Sequence, residues 1–151
     1  MNVFESLIAG FSEKTGLEIS TGADGSVEIE ADGVFVTVQP REQSGDIVLF
    51  SLPLYDEPAS EAMMRRALEL SAHGLGTDGF FLGLADGSFV LSCVLPLEGL
   101  GAEDFAVRML ELSRTSRRIA RELSRAIAEE VLAETSKEPG PESGNLDALR
   151  V

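Results

Sequence analysis

Apolar residues recur at Phe4, Leu7, Ile8 and Phe11, the spacing of one stripe on a helix. Asn2 and Glu5 stand at capping-box spacing ahead of that stripe, and Gly16 supplies a stop behind it. The period then changes from helical to alternating. Residues 17–21 form a short strand. In residues 26–31, Val27, Ile29 and Ala31 share one face while Ser26, Glu28 and Glu30 share the other. Asp32-Gly33 is a two-residue hairpin signal, after which Val34, Val36 and Val38 resume an apolar face. Residues 47–52 (IVLFSL) make the next strand. Pro58 precedes a second helix over residues 59–73, closed by Gly74. Two strands, 80–85 and 88–95, flank Asp86-Gly87, and a long helix runs from residue 102 to residue 133. The order is α-β-β-β(β)-α-β-β-α. Hairpin joints make the sheet largely antiparallel, so the expected fold class is α+β with three helices. Residues 1–133 form one domain, and the Pro/Gly/Ser-rich stretch 134–151 is expected to be a disordered tail.

Two patterns point to a protein interface. The strands IVLFSL, GFFLGLA and FVLSCVLPL are apolar at both odd and even positions, so both sides of the sheet need cover, from the chain's own helices or from another chain. In the last helix, Phe105, Met109, Leu112, Ile119 and Leu123 form a seam that Ser116 interrupts, and Arg114, Arg118, Arg121 and Arg125 lie opposite it. Glu111, Glu122 and Glu129 flank those arginines at pairing distances. The arginine row is then either a solvated face laced with weak ion pairs or a stripe that faces a partner.

Charge narrows the classes of partner. The 151 residues hold 26 acids against 12 bases, a net charge of −14. Residues 102–133 are balanced, so the excess lies in the first two thirds of the chain. Such a surface repels phosphate backbones and anionic lipid, which argues against nucleic acid and membrane as partners. No stretch is apolar for long enough to span a bilayer, and the N-terminal residues read as an amphipathic helix rather than a leader. One cysteine permits no internal disulfide, in keeping with a reducing cytoplasm.

The motifs that suggest chemistry have structural readings. Gly74, Gly76 and Gly79 spell G-x-G-x-x-G, but a helix precedes them and a strand follows, the reverse of a dinucleotide site. Asp24-Gly25, Asp32-Gly33, Asp78-Gly79 and Asp86-Gly87 read as hairpin turns and lack the carboxylate spacing of a calcium loop. His73, the only histidine, has no ligand-spaced companions and is placed in the last turn of the second helix. Cys93 lies inside an apolar strand without a neighbouring base. No catalytic residue, cofactor or metal site is assigned, and an enzyme or small-ligand domain is disfavoured.

With these elements placed, the chain resembles the class I type III secretion chaperones, the group that includes the chaperone of the translocated intimin receptor. The resemblance covers about residues 1–133 and rests on small size, acidity, element order and the stretch LGLADGSFVLSCVLPLEGLGAEDF, in which a hairpin leads through Leu95-Pro96-Leu97 and Leu100 into the long helix. It implies a cytoplasmic homodimer that binds the N-terminal region of a secreted effector, keeps it soluble and competent for export, and hydrolyses no nucleotide. A same-fold adaptor or regulatory dimer without a secretion substrate is the alternative. Carried onto this chain, the resemblance places effector contacts on Phe4, Leu7 and Phe11 and on Val34, Val36 and Phe50. It places the dimer contact on Met63, Met64, Ala67, Leu70 and Phe81. For each of these residues, packing within the chain's own core is the competing assignment. The tail and the arginine face have no counterpart in the shared pattern.

Overall fold

The computed structural model describes residues 2–137, so most of the expected tail lies outside the described residues. Helix α1 (Val3–Thr15) opens on the anticipated box: the Asn2 side chain accepts from the Glu5 amide, and Glu5 accepts from the Asn2 amide. Gly16 closes it in the left-handed conformation, with φ 68°. Strands β1 (Ile19–Thr21), β2 (Val27–Ala31), β3 (Val34–Arg41) and β4 (Asp46–Ser51) follow. Helix α2 (Glu61–Ser71) passes through a 3₁₀ turn (Ala72–Gly74) into β5 (Phe81–Ala85) and β6 (Ser88–Pro96). Helix α3 (Ala102–Lys137) completes the order and continues past the expected end at residue 133.

The six strands form one open sheet in the order β1-β2-β3-β4-β6-β5, with every neighbouring pair antiparallel. The β2–β3 and β5–β6 hairpins turn on Asp32-Gly33 and Asp86-Gly87. All four of these residues have positive φ, as a two-residue turn matched to the strand twist requires. Asp78-Gly79 takes the same backbone conformation but joins no hairpin. Instead it ties the loop before β5 to α3: the Thr115 hydroxyl donates to Asp78 Oδ2 at 2.8 Å and Arg118 donates to the same oxygen at 3.1 Å.

The G-x-G-x-x-G run is a packing device. A Cβ on Gly76 would sit 2.5 Å from the Leu70 carbonyl oxygen, so only glycine lets this loop close against the end of α2. His73 differs from expectation, because α2 ends at Ser71 and His73 bends the chain with φ 58°.

The core lies on one side of the sheet. Val27, Ile29, Ala31, Val36, Val38, Ile47, Leu49, Leu91 and Cys93 pack beneath Phe4, Leu7, Ile8 and Phe11 of α1 and Phe105, Met109 and Leu112 of α3. Phe11 is fully enclosed and meets Phe105 edge-on, with ring centroids 5.1 Å apart and planes at 86°. A second cluster continues this layer, with Met63 and Ala67 of α2 against Phe89, Ile119 and Leu123. Ser116, which breaks the apolar seam, is buried and accepts from the Ser51 hydroxyl at 2.8 Å, so two polar groups satisfy each other under α3.

Phe11→Ala should cost about 3–5 kcal/mol, as removal of an enclosed aromatic does, and urea unfolding would show it. A loss under about 1 kcal/mol would mean that Phe11 is not core. Acid should also weaken the fold. Hydrogen bonds from the Thr115 hydroxyl, then from Arg118, hold the Asp78 carboxyl below its usual range, and Arg66 does the same for Glu122. Carboxylates depressed in the native state contribute stability above their unfolded values. That contribution is lost as pH falls through about 4 and below. Thr115→Val should therefore lower Tm at pH 7 more than at pH 3; an equal drop at both would leave the Asp78 contact without a role.

Candidate partner-binding surfaces

Strand alternation sends every second residue away from the helices, and among the described residues no second layer covers them. Across four strands the register aligns Thr37, Phe50, Ser92 and Phe81 in one row, with Val48 opposite Val94 beside it. Phe81 is 70% exposed, Phe35 54% and Val94 43%, while Phe50 and Val48 are half-buried. All three helices lie on the other face. The chain's own helices thus cover one side of the two-faced strands and leave the second open.

A second exposed apolar patch lies at the β5 end of the sheet, where α2 packs against β5. Met64 and Leu68, one turn apart on α2, are exposed, as is Leu75 after the 3₁₀ turn, and Leu84 of β5 is half exposed. β5 is an edge strand, so its outer main-chain groups have no strand partner.

The other edge is β1, and a groove of about 760 Å³ runs beside it. Phe4 and Ile8 of α1, Ile19 of β1, Val27 of β2 and Pro40 of β3 form its apolar wall, and Glu5 and Glu42 stand among its polar lining. A third concavity of about 620 Å³ lies between α3 and the β3–β4 region, lined by Phe35, Phe50, Leu52, Pro53 and Tyr55, with Arg117 and Ala120 on the helix side.

The residues singled out in the sequence divide between these surfaces and the interior. Phe4, though largely buried, contributes to the α1–β1 groove; Leu7 and Phe11 are core. Val36 is fully buried, Val34 half-buried on the helix side, and Phe50 belongs to the open face. Met63 and Ala67 are enclosed beneath α2, Leu70 is half-buried, and Met64 and Phe81 are exposed. Sequence reasoning passed over Phe35, Leu68, Leu75, Leu84 and Val94. Alternation with Val34 and Val36 marks Phe35, and the i, i+4 relation to Met64 marks Leu68.

Several charged groups near these surfaces are paired. Arg66 donates to Glu122 Oε2 at 2.6 Å and to Glu69 at 3.0 Å, joining α2 to α3. Arg108 pairs with Glu111 and stacks over Phe80 at 4.2 Å. Burial pushes the Cys93 thiol up, which disfavours the thiolate a nucleophile needs. Among the described residues, no three His, Cys, Asp or Glu side chains are grouped to hold a metal ion, and no helix is long and apolar enough to cross a membrane.

Comparison with solved structures finds the same fold in several protein complexes. The HopA1–SchA chaperone–effector complex matches with a TM-score of 0.65 and 19% identity, over 79% of this chain and 94% of that one. The ExsC–ExsE complex matches with a TM-score of 0.66 and 20% identity, over 80% and 92%. The Yersinia pestis type III secretion chaperone SycH, in complex with a stable fragment of YscM2, matches with a TM-score of 0.58 and 18% identity, over 77% and 98%. Identities this low establish a shared fold. No curated protein sequence matches the chain. A family profile settles the relationship at the sequence level, because it spans residues 6–113, from α1 through the first part of α3: the chain belongs to the Tir chaperone protein (CesT) family.

Proposed function

We propose that this protein is a cytoplasmic, homodimeric type III secretion chaperone that holds the N-terminal segment of a secreted effector without hydrolysing nucleotide. The observation that carries this reading is the open apolar sheet face, in a chain whose family is defined by a chaperone. The structural relatives described as chaperone–effector or chaperone–fragment complexes support the class of partner.

Two exposed apolar surfaces support separate places for these partners. A second copy fits the α2–β5 end, where Met64, Leu68, Leu75, Phe81 and Leu84 are exposed around an edge strand. Burying one Leu or Phe contributes about 1.5–3 kcal/mol, so a handful of these residues, met twice by twofold symmetry, supplies a stable contact. An extended effector segment fits the opposite end. It gains main-chain hydrogen bonds at the β1 edge and apolar contacts in the groove walled by Phe4, Ile8, Ile19 and Val27. Ordering such a segment costs part of the gain, so many contacts are needed and a long wrapped ligand suits the surface.

Leu68→Asp with Phe81→Asp should leave the far-ultraviolet spectrum unchanged and reduce the mass measured by light scattering from dimer to monomer; a persistent dimer would move the interface elsewhere. Tagged protein recovered from cells making type III secretion components should carry one secreted protein, which proteolysis trims to its N-terminal segment. Protection confined to another part of that protein, or its complete absence from the recovered material, would contradict the chaperone reading.

A further inference from the structure

One stripe of α3 is left without partners. Val107, Leu110, Arg114, Arg117 and Arg121 follow one another at three- and four-residue steps and are all exposed. The neighbouring arginines are engaged, Arg118 with Asp78 and Arg125 with Glu122. Arg114, Arg117 and Arg121 make no ion pair with any described residue, although acids outnumber bases by 26 to 12 in the chain. Like charges at these steps weaken a helix, so the free protein bears a small cost that a bound anion relieves.

Arg117 also lines the 620 Å³ groove, together with Phe35, Phe50 and Leu52. Glu28 of β2 and Asp32 of the β2–β3 turn line the same groove, so it carries acidic groups from the sheet and a basic one from α3. The axial distance from Arg117 to Arg121 is about 6 Å at the helical rise. Alternate side chains of an extended segment repeat at about 6.8 Å. A strand-like ligand with carboxylates at alternate positions can therefore set one beside Arg117 and the next beside Arg121, while the residues between them meet the apolar lining of the groove.

We propose that this groove and the Arg114–Arg117–Arg121 stripe bind an extended protein segment in which acidic and apolar residues alternate. The surface rests on the chaperone reading for its biological ligand, a stretch of the effector beyond the part seated at α1. Its recognition chemistry is separate from that of the apolar groove at β1.

The test uses the full chain and two labelled synthetic octapeptides, one alternating Leu with Glu and one alternating Leu with Gln. Fluorescence anisotropy should show the Glu peptide binding about tenfold more tightly, with the difference shrinking as salt rises from 0.1 M to 1 M (Debye lengths about 10 Å and 3 Å). Amide shifts on binding should fall within residues 50–55 and 114–121. Arg114→Gln, Arg117→Gln and Arg121→Gln together should abolish the preference; Arg65→Gln, on the outside of α2, should keep it. Thermal melting checks that the triple variant folds, and Arg117→Gln alone, which should lose part of the preference, serves if it does not.

Equal affinity for the two peptides, or shifts confined to the α1 groove, would overturn the proposal. So would a fall in the mass of the protein alone on neutralising the arginines, which would assign the stripe to a second copy. If the Glu peptide binds as described but no secreted partner is found, the surface stands and the chaperone reading fails. If a secreted partner is captured equally well by the triple variant at low salt, the chaperone reading stands and this surface fails.

Discussion

Successive side chains of a strand point to opposite faces, so a sheet that is apolar at odd and even positions needs cover twice. In this protein the cover is supplied once. Helices α1, α2 and α3 form a single layer, joined by the Phe11–Phe105 contact at one end and by Arg66–Glu122 at the other. Most of the apolar residues beneath that layer are enclosed. The residues pointing the other way, Phe35, Val48, Phe50, Phe81 and Val94, are left exposed or partly so. An apolar face of this kind is a standing invitation to a second chain, and the open edges at β1 and β5 add main-chain groups at both ends.

The polar exceptions inside the layer serve its assembly. Ser51 and Ser116 satisfy one another where α3 crosses β4, and Asp78 ties the loop before β5 to Thr115 and Arg118. Glycines that mimic a nucleotide motif turn out to shape the same loop, Gly76 by its approach to Leu70. Strong acidity elsewhere favours solubility despite the open apolar face, and makes Arg114, Arg117 and Arg121, which have no ion pair among the described residues, the exception in its field.

Much of this was legible in the sequence because local physics decided it. The α1 box at Asn2 and Glu5, the Asp-Gly turns and the element order follow from spacing and turn chemistry alone. The end of α2 did not, since nothing in the sequence announces that His73 takes a left-handed backbone. The division between core and surface was also hidden. Strands apolar on both faces carry no mark of which face meets the helices, so Phe50 and Val36 looked equivalent although one is open and the other sealed. In the helices, the stripe chosen for α2 mixed Met63 with Met64. Neighbouring positions on a helix point about 100° apart, and only packing shows which is outward. Likewise Arg114, Arg118, Arg121 and Arg125 read as one row, with no sign that the fold would bring Asp78 to Arg118.

Hydroxyl-radical footprinting over a range of protein concentrations tests the one-sided cover most directly. The account predicts rapid oxidation of Phe35, Leu68 and Phe81 in dilute protein and none at Phe11 or Phe105. Leu68 and Phe81 should lose reactivity together as concentration rises, while Phe35 stays reactive until a partner is added. Reactivity at Phe11 equal to that at Phe81, or Phe81 labelling that never changes with concentration or partner, would contradict it.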